Sequence, residues 1–381
     1  MAHRASVGEA RRRLPGEFLE ILDATFPQPV AEAILRGMGG RRCTTLRVNT
    51  LRGSAEALMQ FFHDNAVKYR RVPWYRDAFV LAELRERDAE AWHMYAEGRI
   101  YLQNLSSMIP ALALGPLPGE RVLDLAAAPG SKTTQMAALM ENSGSILAND
   151  ADAIRVERLA YNVRMQGCSI VEVRLGRGEK LGELAPESFD RVLLDVPCSG
   201  EGRFIVFEPA TSRGWSRKVV SESVRLQRKL LASGARALKP GGVLVYSTCT
   251  LNLEENERLM QWALESFPLD VENLPVRIPG AYAGMTRGLL PCLAMALRVF
   301  PDSEREGFFV CRMRKKTRDA GGGQGLSRRP AARLSRPPAA DRSTGSTSSG
   351  HSRCRACGCV KRARRKTSGS PPARRERTGT R

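Results

Sequence analysis

From about residue 96 to residue 316 the chain alternates short apolar runs with helical ones, and few architectures accept that pattern. RVLDLAA reads as an apolar strand, followed by a glycine-containing turn and the helix SKTTQMAALMEN. SGSILAND reads as the next strand and ADAIRVERLAYNVRMQG as a helix. CSIVEVRL and FDRVLLDV are further strands. The helix VVSESVRLQRKLLASGARAL, the strand PGGVLVYSTC and a helix over NLEENERLMQWALESF follow. ALRVFP and GFFVCRMRK close the series as an antiparallel hairpin at the sheet edge. The pattern predicts an α/β fold: a doubly wound, Rossmann-like parallel sheet.

Residues 1 to 95 carry a different mixture. LPGEFLEILDATFP and PVAEAILRGM read as helices, TTLRVNT as a strand, SAEALMQFFHDN as a helix, and VKYRRVPWY and AFVLAEL as strands. That describes a small α+β domain of an RNA-binding type. Arg47 and Arg52, in LRVNTLR, are candidates to meet phosphate, with an ordinary solvated strand edge as the equal alternative. Residues 317 to 381 are rich in Gly, Ser, Pro and Arg and poor in aliphatics, so they cannot bury enough apolar area to offset ordering entropy. They are expected to form a disordered basic tail. Three domains are therefore expected: 1–95, a catalytic domain over 96–316, and the tail.

Ligands of a doubly wound sheet bind outside the carboxyl ends of its strands. The first strand ends in Asp124-Leu-Ala126-Ala127-Ala128-Pro129-Gly130-Ser131-Lys132. With one glycine and a rigid proline, this is neither the GxGxxG turn nor the phosphate loop, and it leaves little room for a pyrophosphate. The second strand ends in Asn149-Asp150, and an acid there suits ribose hydroxyls. A nucleoside site without a phosphate cradle favours S-adenosylmethionine over a dinucleotide. Two later strands each end at a cysteine: DVPCSG carries Asp195 and Cys198, and STCT carries Cys249. If those strands are neighbours, about 4.8 Å apart, both thiols face one pocket. Two thiols and a carboxylate beside a methyl donor suit nucleophilic catalysis on an unreactive carbon such as C5 of a pyrimidine. A thiolate adding to C6 makes that carbon a nucleophile. A single cysteine at a buried strand end is more often a packing residue. Two, each in a small polar turn, argue for chemistry.

Residues 96 to 316 contain no histidine, which speaks against a Cys–His or Ser–His–Asp hydrolase. The nine cysteines show no disulfide framework, and no metal site is expected. His351, Cys354, Cys357 and Cys359 lie in the tail with poor spacing for zinc. No apolar run is long enough to span a membrane, and MAHRASVGEARRRL has no apolar signal core, so a cytoplasmic protein is expected. The net charge is +20, of which residues 317 to 381 supply +14 and the remainder +6. That balance suits a polyanionic partner.

With these residues quoted, the chain resembles the Sun/NSUN-type RNA cytosine-5 methyltransferases, which include the bacterial RsmF-like rRNA enzymes. The blocks that carry the resemblance are LRVNTLR, YLQNLSSMIPALAL, VLDLAAAPGSKTTQMA, ILAND, LLDVPCSGEG, LKPGGVLVYSTCTLNLEENE and RVFPDSEREGFFVCRMRK. The resemblance implies a Rossmann-like S-adenosylmethionine-dependent methyltransferase sheet with a small N-terminal α+β domain. It implies that Ala126 to Lys132 hold the methionine portion of the cofactor and that Asp150 binds the ribose. Asp195, also beside the cofactor, would hydrogen-bond the flipped cytosine and favour its protonation at N3. Cys249 would attack C6 and Cys198 would assist breakdown of the adduct. Two positions depart from the family pattern. Leu175, Gly176 and Arg177 stand where an adenine-binding acid is usual, with Glu179 as the nearest substitute. Phe207-Glu208-Pro209 replaces a segment with a basic residue. The expected activity is methylation of cytosine C5 in RNA, with rRNA as substrate. A tRNA enzyme and a catalytically decayed RNA-binding assembly factor are the alternatives, and a monomer is expected.

Overall fold

A computed structural model describes residues 4 to 317, which form one compact unit. The basic tail and its cysteine cluster lie outside the described residues.

Two sheets organise the unit. The smaller one joins β1 (Thr44–Val48), β2 (Arg70–Val72), β3 (Tyr75–Leu81) and β4 (Ile100–Leu102) in the order β2-β3-β1-β4. Helix Ala55–Asp64 covers it, setting Leu58 and Phe62 against Leu46, Val48, Phe79 and Ile100. Ser54 caps that helix by accepting the Ala57 N–H.

The larger sheet contains β5 (Arg121–Asp124), β6 (Ser145–Asp150), β7 (Val171–Leu175), β8 (Phe189–Asp195), β9 (Leu238–Thr248), β10 (Leu269–Glu272), β11 (Tyr282–Ala283), β12 (Leu297–Val299) and β13 (Phe308–Lys315). Its order is β11-β12-β13-β9-β8-β5-β6-β7, with β10 also on β13. Strands β5 to β9 run parallel, and β13 runs antiparallel to β9. The chain leaves β5 toward β6 on one side and returns to β8 on the other, so the switch point lies at the carboxyl end of β5. Both faces are buried, as a parallel sheet requires. Val122, Leu193, Val243 and Val245 point into one core, and Leu123, Leu194, Leu244 and Tyr246 into the other. Helix Arg217–Ala237 covers the second face with Leu230, Leu231 and Ala235.

Two elements depart from the expected pattern. The closing strands β12 and β13 do pair antiparallel, but β13 is inserted beside β9 rather than lying at the edge. The helix expected over residues 252–267 begins only at Glu257. Before it, side chains take the backbone donors: Thr250 Oγ1 accepts from the Asn252 N–H and Asn252 Oδ1 from the Glu254 N–H.

A third core joins the first residues to the segments that follow β8 and β9. Helices Val7–Arg13, Gly16–Thr25 and Gln28–Met38 bury Phe18, Leu22, Ile34 and Leu35 together with Phe204, Val206 and Leu251. Phe18 meets Phe204 edge-on at 5.1 Å and Trp215 at 5.8 Å between centroids.

Candidate active site

Register brings the two cysteines together. Strands β8 and β9 pair in parallel with Asp195 opposite Ser247, so the segments that follow leave the sheet side by side. Cys198 Sγ lies 3.4 Å from Cys249 Sγ. The two turns are tied to each other: Ser199 Oγ is 2.7 Å from Thr250 Oγ1, and the Gly202 N–H donates to the Cys249 carbonyl at 3.0 Å. Beneath them, Glu255 Oε2 accepts from the Ser199 N–H at 3.0 Å and from Gln227 Nε2 at 2.8 Å. Either sulfur can be the donor in this contact. The hydrogen bond to Cys249, with burial second, pushes the Cys198 thiol well above the ordinary cysteine range.

Asp195 ends β8 at the same place. Lys132 Nζ lies 2.7 Å from its Oδ2, and Ser247 Oγ donates to its Oδ1 at 2.7 Å. Lys132, 8% exposed, also donates to Ser107 Oγ at 2.8 Å. The ammonium of Lys132, expected along the cofactor, is thus directed at the carboxylate beside the thiols. Each Asp195 oxygen keeps a further lone pair for a ligand donor.

A cleft of about 200 Å³ unites these groups. It is lined by the turn from Ala126 to Pro129, by Ser131 and Lys132, and by Asp124, Asp195 and Cys249. Gly130 joins that turn to helix Ser131–Leu139 with φ +106°, and a Cβ there would lie 2.9 Å from Leu159 Cδ1. Asp124 accepts from Thr133 Oγ1 at 2.8 Å through Oδ2, while its Oδ1 is buried without a partner. Burial pushes this carboxyl up to about 7. An unpaired carboxyl oxygen at the cleft fits a cationic donor such as the amino group of S-adenosylmethionine, so the residues present accommodate that cofactor.

Asp150 lies behind the turn, outside the lining of this cleft. Its Oδ2 accepts the Ala128 N–H at 3.1 Å and pairs with Arg155 at 3.3 Å, and its Oδ1 accepts the Asp152 N–H at 3.2 Å. At the end of β7, Leu175 is exposed and Gly176 donates its N–H to the Asp150 carbonyl at 2.9 Å. Glu179 is paired with Arg177 at 3.1 Å.

Arg47 corrects the phosphate reading. It is fully buried, donates to Gln103 Oε1 and Thr134 Oγ1 at 2.8 Å each, and stacks on Tyr101, so it braces the cofactor turn from inside. Its position on β1 between two sheets, invisible in the local sequence, turns it inward. Arg52 is exposed. Five cleft residues were not singled out from the sequence: Ser107, Asp124, Arg203, Glu306 and Phe308. Arg203 had a signal, since it follows Cys198 by five residues in the same block. Glu306 had none, because only the insertion of β13 beside β9 carries it there.

Among the described residues no group of three or more His, Cys, Asp or Glu side chains could hold a metal, and no helix is long and apolar enough to cross a membrane.

Residues 111–314 match a family described as 16S rRNA methyltransferase RsmB/F, and residues 14–86 match the ferredoxin-like domain of RsmF/B-like methyltransferases. The chain is 38% identical over 311 residues to ribosomal RNA small subunit methyltransferase F of Pectobacterium atrosepticum. It is 41% identical over 312 residues to the protein of that name from Cronobacter sakazakii. Each match covers 79% of this chain and 63% of the relative, so the chain spans less than two thirds of the length of these relatives. A methyltransferase homolog protein from Pyrococcus horikoshii superposes with a TM-score of 0.71 at 33% identity, covering 81% of this chain and 98% of that one. NSun6 from the same organism, solved with SFG, gives 0.71 at 22% identity over 81% of this chain and 100% of that one, and shares the fold.

Proposed function

The chain belongs to the 16S rRNA methyltransferase RsmB/F family, and from that premise we propose that it methylates C5 of a cytosine in rRNA through a covalent bond between Cys249 and C6. The observation that carries the reading is the pair of sulfurs 3.4 Å apart at the tips of two adjacent parallel strands, with the Asp195 carboxylate and Cys249 lining one cleft. Core packing needs neither feature.

The cofactor is S-adenosylmethionine, which when bound supplies a methyl group electrophilic toward carbon. The turn from Ala126 to Lys132 would hold its methionine portion, Asp124 would accept from its amino group, and Asp150, at the end of β6 behind that turn, would hold the ribose hydroxyls in exchange for its Arg155 contact. Asp195, fixed by Lys132 and Ser247, accepts from the base and favours the proton at N3. The ring is then electron-poor at C6. Cys249 adds there as thiolate: the S–C6 bond forms, and the C5–C6 π pair moves into the ring, leaving C5 nucleophilic. Once Cys249 is a thioether, it is no longer an anionic neighbour of Cys198. Cys198 releases its proton and, as thiolate, takes the proton from methylated C5. That C–H pair restores the C5–C6 double bond and expels Cys249 as thiolate. One proton leaves for each methyl group transferred.

The test is to incubate the protein with unmethylated rRNA and tRNA transcripts and a labelled cofactor, then digest to nucleosides. Labelled 5-methylcytidine from rRNA is expected. Label on any other nucleoside would sink the reading, and label from tRNA alone would move the substrate.

A further inference from the structure

One cation stands beside the thiols without a role in the steps above. Arg203 lines the cleft together with Cys249, Asp195 and Glu306. Its backbone is unusually constrained. Gly202, just before it, touches Gly307, where a Cβ would fall 2.1 Å from the Gly307 carbonyl oxygen, and the Gly307 N–H donates to the Gly202 carbonyl at 2.9 Å. Arg42 then grips the same turn, donating to the carbonyls of Gly202 at 3.0 Å, Arg203 at 3.4 Å and Phe204 at 3.3 Å. A guanidinium spent on three consecutive carbonyls fixes where the next side chain points. That side chain lines the same cleft of about 200 Å³ as Cys249. The nearby Cys249 is the first cause that raises the Arg203 guanidinium above the ordinary arginine range, with Glu306 a later one and burial opposing them.

We propose that Arg203 is a further catalytic residue, which holds Cys249 as the thiolate and so makes it the attacking sulfur, and that Arg42 is the positioning residue that aims it. The proposal rests on the reading of Cys249 as nucleophile. Cys249 is faced by Cys198 and Arg203 from the turn after β8, by Asp195, by Lys132, by Asp124 from β5 and by Glu306 ahead of β13. Two of these are cations. Lys132 is already committed to Asp195 and Ser107, which leaves Arg203 to balance the sulfur. A cation within about 4–6 Å favours the charged form of a thiol by about one to three pH units. After the adduct collapses, the same guanidinium stabilises the departing thiolate.

The experiment reads the thiols directly, without RNA or cofactor, so its failure and the failure of the methylation reading are distinguishable. The full-length protein is treated with iodoacetamide from about pH 6 to about pH 9.5, and alkylation of each cysteine is followed by peptide mass mapping. Cys249 is expected to react faster than Cys198 at neutral pH. Arg203→Met and Arg203→Gln are expected to slow Cys249 about tenfold at pH 7 and to raise the midpoint of its pH profile by about one unit. Arg203→Lys is expected to keep most of the wild-type rate, and Arg42→Met to shift the midpoint in the same direction by less. Cys311, fully buried, reports folding in every sample, because a disrupted core would expose it. An unchanged Cys249 profile in either neutral variant with Cys311 protected overturns the proposal. Faster reaction at Cys198 than at Cys249 in the wild-type protein overturns it as well.

Discussion

Two sulfurs 3.4 Å apart cannot both carry charge at low cost, so the pair must divide its tasks. The division makes the two substitutions unequal. Cys249→Ala should abolish methyl transfer and form no adduct. Cys198→Ala should still attack and methylate but release slowly, so that with cofactor a protein–RNA complex stable to a denaturing gel accumulates. A trap formed by Cys249→Ala instead would reverse the roles. A second residue-scale consequence follows from buried acids. Burial pushes Asp124 and Glu201 each up to about 7, whereas in the unfolded chain both ionise near pH 4. The folded state therefore binds more protons than the unfolded state between those values, and stability is present at acid pH and lost as pH rises through about 7. Glu201 sits 1% exposed beneath the thiol turns, with Asn252 Nδ2 donating to it at 3.0 Å. Glu201→Gln should flatten the pH dependence by up to about 3 kcal/mol between pH 5 and pH 8. Urea midpoints with the same slope against pH in both proteins would refute this. The cysteines and Asp195 were legible because each closes an apolar run. Asp124 was not singled out, since an acid that begins a turn looks like any solvated strand end.

At the scale of elements, the alternation of strands and helices announced the parallel sheet, because a strand buried on both faces has to be nearly all apolar. What it left open is set by long-range pairing. Nothing local in GFFVCRMRK separates an edge strand from one inserted beside β9, since both bury Phe309, Val310 and Cys311. The late start of helix Glu257–Ser266 has a similar origin: Glu255 and Asn256 read as helical, but their side chains are drawn into the support of the thiol turns. The three N-terminal helices contribute to the same support. Phe18, 1% exposed, packs edge-on against Phe204 and Trp215, which flank the turn carrying Arg203. Phe18→Ala should cost about 3–5 kcal/mol, as truncation of a buried aromatic does. It should lower methyl transfer more than RNA binding, because the turn it braces carries the chemistry. A denaturation midpoint within error of wild type would mean that these helices only lie against the site.

For the whole molecule, +14 of the net charge of +20 lies in residues 318–381. Strand β13 runs to Lys315, which is 9% exposed and whose ammonium donates to the carbonyls of Ala235 and Leu238 at 3.0 and 2.7 Å. Lys316 pairs with Asp270 at 3.3 Å, and its N–H donates to the Pro268 carbonyl at 2.9 Å. Those contacts belong to the catalytic unit, so a chain ended before Lys315 would lose bonds that close β9 and β10 over the core. A chain ended after Thr317 would keep them and lose +14 of the net charge. Phosphate contacts release counterions in proportion to the cations that make them, so such a truncation changes the salt dependence of RNA binding before it changes the chemistry. The chain ended at Thr317 should unfold at the wild-type denaturant midpoint and should methylate at saturating RNA at a rate within about twofold of wild type. Its affinity should be lower at low salt, with a shallower slope of log affinity against log salt. Equal slopes for the two proteins would show that the added cations do not reach RNA. Loss of cooperative unfolding would show that residues beyond Thr317 complete the core.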